Sequence, residues 1–85
     1  MPPRKPPVIS GGQLIKALQR LGYEIVRQRG SHARLKKVTE AGVHSITVPN
    51  HSEIAKGTLS DILSRVSEMN QISKEDLIKF LKKRR

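Results

Sequence analysis

"SHARLKKVTEAGVHSITV", residues 31–48, carries the pattern that decides the fold. Ala33 and Leu35 alternate with His32, Arg34 and Lys36. Ile46 and Val48 alternate with Ser45 and Thr47. Period-two alternation marks strands with one covered face and one open face. Set Leu35 opposite Ile46, and Ala33 falls opposite Val48, so the apolar residues share a face. Arg34 then faces Thr47 and Lys36 faces Ser45 on the other. Thr39–Gly42 closes the two runs at hairpin length. The same register puts His32 at a strand end, outward and close to Pro49.

Working outward, "YEIVRQR" at 23–29 is rich in β-branched and aromatic residues and predicts a preceding strand. Its facing stays open, because Ile25 and Val26 are adjacent. Gly30 allows a tight turn. Further upstream, Ser10 suits an N-cap, Leu14, Leu18 and Leu21 form one apolar stripe, and Gly22 is the expected stop. Downstream, Thr58 with Asp61 forms a capping pair ahead of Leu59, Ile62, Leu63, Val66 and Met69 at helical spacing. Ser73 with Asp76 repeats the cap, and Ile72 with Leu77 fits a hydrophobic staple. The order is α-β-β-β-α-α. The expected class is α+β: a three-stranded antiparallel sheet with helices on one face and a basic, open second face.

The chain has 85 residues and a formal net charge of +10, from 17 bases and 7 acids. That length gives one domain with one modest core, burying roughly 60–65% of the unfolded surface. The division expected is a basic, Pro-rich arm over 1–9, a single domain over 10–81 and a basic tail over 82–85. The charge calls for an anionic partner: nucleic acid, an acidic protein or a membrane surface. Cysteine is absent, which excludes disulfides, zinc thiolates and thiol nucleophiles. No apolar run approaches a membrane span, and the N-terminal residues lack the apolar segment of a signal peptide. A cytoplasmic protein is the simplest reading. With Tyr23 and Phe80 as its aromatics, the chain does not suit a surface that stacks several bases on rings.

Three histidines need weighing. His44 shares parity with Ile46 and Val48 and is expected half-buried and structural. His51, in the loop before a helix, can contact phosphate or cap that helix. His32 by spacing alone is an inert surface residue. Its exposure and its neighbours Arg34 and Lys36 argue otherwise, because a base titrating near neutral pH among phosphate-binding cations is what RNA cleavage requires. The histidine separations match no zinc motif, so no metal is expected. Ser31 and His32, adjacent on a strand, point apart and make no hydrolase dyad.

"VRQRGSHARL", "TVPNH" and "KGTLSDIL", after a leucine-rich first helix ending in Gly-aromatic, resemble the HicA mRNA interferase toxins, also called the YcfA-like family. The resemblance runs from about Gly11 to Phe80. It implies a double-stranded-RNA-binding-domain-like fold and metal-independent cleavage of mRNA. It also implies a catalytic role for His32 and a HicB-like antitoxin that covers the active face. The reading is therefore an endoribonuclease toxin with His32 as general base, monomeric when free and needing no cofactor. Arg29, Arg34, Lys36 and His51 are its RNA-binding candidates. Two rivals stay open. One is a non-catalytic RNA-binding module of the same fold, separated by whether RNA is cut or only bound. The other is a basic protein that holds an acidic partner and has no RNA activity.

Overall fold

The computed structural model describes residues 9–82, so most of the expected arm and tail lies outside the described residues. Helix α1 spans Gly11–Arg20. A capping box starts it: Ser10 Oγ accepts from the Gln13 N–H at 3.1 Å, and Gln13 Oε1 accepts from the Ser10 N–H at 2.9 Å. Leu14, Ile15, Ala17 and Leu18 are buried, while Lys16, Gln19 and Arg20 face solvent. Gly22 takes φ +108°, a conformation that costs glycine little, and the chain turns into the sheet.

Strands β1 (Glu24–Arg29), β2 (His32–Thr39) and β3 (Gly42–Pro49) form an antiparallel sheet in that order. Across β2 and β3, Leu35 pairs with Ile46, Ala33 with Val48, Arg34 with Thr47 and Lys36 with Ser45, the register that the alternation predicts. Ala33, Leu35 and Val48 are fully buried. In β1 the facing left open by Ile25 and Val26 is decided by a β-bulge. Ile25 pairs with Leu35 and Arg27 with Arg34, leaving Val26 unpaired between them. The extra residue shifts the parity, so Arg27 and Arg29, not their neighbours, continue the outward face.

Helix α2 (Lys56–Asn70) lays Leu59, Ile62, Leu63 and Val66 on the sheet's apolar face. It begins earlier than the Thr58–Asp61 pair predicts, and those two residues do not cap it. The N-cap is Ala55, which provides no side-chain bond. The reason is tertiary. Ile54 is 4% exposed, and its N–H donates to the Ile9 carbonyl at 2.9 Å, which fixes the entry point ahead of Thr58. Asp61 instead pairs with Arg65 one turn on, at 3.2 Å, on the exposed side. Ile9, expected in the arm, belongs to the core.

Gln71 ends α2 in the left-handed region at φ +54°. Helix α3 (Lys74–Lys82) follows, with Ser73 Oγ accepting from the Asp76 N–H at 3.1 Å. Leu77 is buried, and Ile72 packs against the same core, as the staple predicts. The layout is thus the α+β arrangement read from the sequence. All three helices contribute to one core with the inner face of the sheet.

Candidate nucleic-acid interface

The outer face of the sheet is best described by rows, because cross-strand partners on one face are immediate neighbours. The first row is Arg29, His32 and Pro49. The second is Arg27, Arg34 and Thr47. The third is Glu24, Lys36 and Ser45. Val38 opposite Val43 lies beyond, exposed at the hairpin end. Charge is uneven along this ladder. In the third row Lys36 faces Glu24. In the second, two guanidinium groups face each other directly, an arrangement that costs stability in an otherwise empty sheet.

His32 opens β2 after the two-residue turn Gly30–Ser31. Gly30, first of the two, takes φ +57°, at the position where a tight II′ hairpin turn requires glycine. Backbone contacts hold this end of the sheet. The Asn50 N–H donates to the Ser31 carbonyl, extending the ladder past the His32–Pro49 pair. The Gly11 N–H donates to the His51 carbonyl at 2.8 Å. A Cβ on Gly11 would sit 2.2 Å from the Pro49 oxygen and 2.5 Å from the Asn50 Cα. Helix α1 therefore rests on the backbone of 49–51 because Gly11 carries no side chain.

An open concavity of about 300 Å³ lies over the first two rows, lined by Arg27, Arg29, His32, Arg34 and Thr47. Three guanidinium groups, one imidazole and one hydroxyl converge there. No carboxylate lines it, and none of the three arginines forms an ion pair with a described residue. The structure thus brings Arg29, His32 and Arg34 together. Lys36 shares their face but lies one row away, opposite Glu24. His51 is exposed in the loop after β3 and does not line the concavity. Arg27 is a member of this cluster that alternation alone does not place. Its signal was the adjacent Ile25 and Val26: two apolar β-branched residues that break alternation mark a bulge, and the residue after a bulge changes face.

His44 is the contrasting histidine. It is half-buried, and its Nδ1 lies 2.6 Å from the Tyr23 hydroxyl, with the rings edge to face. The direction of this network follows from its ends. Lys37 Nζ can only donate, so it takes Asn70 Oδ1; the Val66 carbonyl can only accept, so it takes Asn70 Nδ2. That amide N–H₂ then also donates to the Tyr23 oxygen at 2.9 Å, and the Tyr23 hydroxyl proton goes to His44 Nδ1. Burial holds the His44 pKa below its ordinary value, and the nearby Arg65 charge adds to this. Burial raises the Tyr23 pKa, partly offset by the Asn70 bond. Both groups are therefore neutral at pH 7, which suits a structural link between the sheet and the end of α2.

Among the described residues there is no group of three or more His, Asp or Glu placed to hold a metal ion. Nor is any helix long and apolar enough to cross a membrane. A family model described as HicA toxin of bacterial toxin-antitoxin matches residues 11–67, two-thirds of the chain. The chain belongs to the HicA toxin family. The match takes in α1, the whole sheet, every residue of the concavity and most of α2, and stops short of Asn70 and α3. As a member of that family this HicA protein is the toxin of a toxin–antitoxin pair, so an antitoxin is its expected counterpart. No curated protein and no solved structure gives a match.

Proposed function

We propose that this HicA-family toxin is an endoribonuclease that cuts mRNA in the cytoplasm without a metal ion. The observation that carries the reading is the convergence of His32 with Arg27, Arg29, Arg34 and Thr47 in one open concavity without a carboxylate. Guanidinium groups bind phosphate bidentately and cannot lose their proton, so the cluster is suited to a phosphodiester and repels a divalent cation.

In the proposed step the neutral imidazole of His32 takes the proton of a ribose 2′-hydroxyl. The 2′-oxygen attacks the adjacent phosphorus, the bond from phosphorus to the 5′-oxygen breaks, and a 2′,3′-cyclic phosphate forms. The leaving 5′-oxygen takes its proton from water or from the imidazolium. Arg29, beside His32 in the first row, offsets the extra negative charge that the phosphorus oxygens gain in the transition state, and Arg34 in the next row helps to hold the strand. Lys36 and His51, farther from His32, add attraction for the rest of the strand. An antitoxin of the HicB type would inhibit by presenting carboxylates to this same face.

The test is incubation of purified protein with a mixed mRNA in EDTA, followed by mapping of the new ends. Cuts that leave 2′,3′-cyclic phosphates and 5′-hydroxyls support the mechanism. Cleavage that stops on chelation, or ends bearing a 3′-hydroxyl, would contradict it.

A further inference from the structure

We infer that the second row of the sheet face, Arg27, Arg34 and Thr47, is a binding site for a second phosphate. On this inference the ligand is a single RNA strand with at least two consecutive phosphates across the concavity. The inference rests on the ribonuclease reading for the identity of the strand and deepens it by naming which row holds which phosphate.

Three observations carry it. The rows are adjacent on one face and two residues apart along each strand, which is about 7 Å at strand rise. That is the scale on which neighbouring phosphates of one nucleic-acid strand follow each other, and too far for one phosphate to bond both rows fully. Next, the second row is richer in donors than the first. Arg27 and Arg34 face each other, Thr47 adds a hydroxyl beside Arg34, and no described acid pairs with either guanidinium. Two like charges set directly opposite are a standing repulsion, and an anion between them relieves it. Finally, the track ends. One row further on, Glu24 opposes Lys36, and beyond that stand Val38 and Val43. The face is suited to two phosphates and then stops attracting them. The bulge at Val26 sets this up, because it brings Arg27 into line with Arg34.

The experiment uses the full chain with His32→Ala, which stops cleavage while Arg29 remains to hold the first phosphate. The probes are the uridine oligonucleotides UpU, with one phosphate, and UpUpU, with two. Binding is titrated over a range of KCl concentrations. The second phosphate should steepen the fall of log K with log salt by about 0.7, the value for one more contact to a single strand. Adding Arg27→Ala should remove that increment, so that UpUpU loses affinity by a larger factor than UpU and the salt slopes of the two RNAs coincide. Arg27→Lys should keep it, because the charge is retained. The inference is overturned if Arg27→Ala weakens both RNAs by the same factor, if it weakens neither, or if an acidic peptide binds the face while both RNAs do not. A chain that binds in the expected pattern but, with His32 intact, cuts no RNA would sink the ribonuclease reading alone and leave the two-phosphate site standing.

Discussion

Tyr23 is 2% exposed, yet its hydroxyl is shared between two polar partners, His44 and Asn70. Removing the oxygen with Tyr23→Phe leaves the His44 Nδ1 without its donor and should cost about 1–2 kcal/mol, read from urea unfolding. The linked prediction concerns pH. The folded-state pKa of His44 lies below its ordinary 6.5, so the unfolded chain binds the proton more readily than the folded one. This group's contribution to stability is therefore complete above the ordinary value and is lost as pH falls below it towards the depressed folded value. Unfolding measured from pH 7.5 to 5 should show that loss, and His44→Gln should flatten it. A His44→Gln profile as steep as the wild type would mean that another group is responsible. Parity in the sequence made His44 half-buried; its partner was not legible, because Tyr23 lies 21 positions upstream and is itself held by Asn70, 47 positions further on, in a helix whose end the pattern does not mark.

The starts of two helices show how far local signals reach. At α1 the local signal is sufficient: Ser10 and Gln13 form their box where a polar cap precedes an apolar stripe. At α2 it is not. Thr58 and Asp61 have the right spacing, but burial of Ile54 and its bond to Ile9 start the helix sooner. That leaves Ala55 at the N-cap with extended backbone and no side-chain acceptor. Ala55→Asp should therefore stabilise the protein by about 1 kcal/mol, seen as a raised unfolding midpoint; an unchanged midpoint would mean that the exposed N–H groups are already satisfied by water. Gly11 reverses an ordinary rule. Glycine to alanine inside a helix normally gains stability, by about 0.5–1 kcal/mol. Here the added methyl meets the Pro49 oxygen at 2.2 Å, so Gly11→Ala should destabilise by about 1–3 kcal/mol. In β1 the sequence carried the bulge in plain view as Ile25-Val26, but alternation alone cannot say which residue is the extra one. The ladder to β2 decides that.

Across the whole molecule, a net charge of +10 is concentrated in function by topology, not by sequence proximity. Arg27 and Arg29 precede the turn and His32 and Arg34 follow it, so a hairpin with the right register is enough to converge them. The β2–β3 pairing legible in the sequence puts His32 and Arg34 on one face, whereas Arg27, behind the bulge in β1, is placed only by the ladder to β2. The long-range consequence of the charge is salt sensitivity: association with mRNA or with an acidic antitoxin should slow steeply as ionic strength rises. Whether His32 performs the chemistry is read from single-turnover cleavage of one labelled RNA by the wild type and by His32→Ala at matched saturation. His32 is exposed at a strand end, and such surface changes usually move stability by within about 0.5 kcal/mol. With His32 as the general base, the Ala variant should keep its circular dichroism spectrum and nearly all of its RNA binding, and its rate should fall by roughly 10²–10⁴-fold. A folded His32→Ala protein that cuts at the wild-type rate would rule out that role.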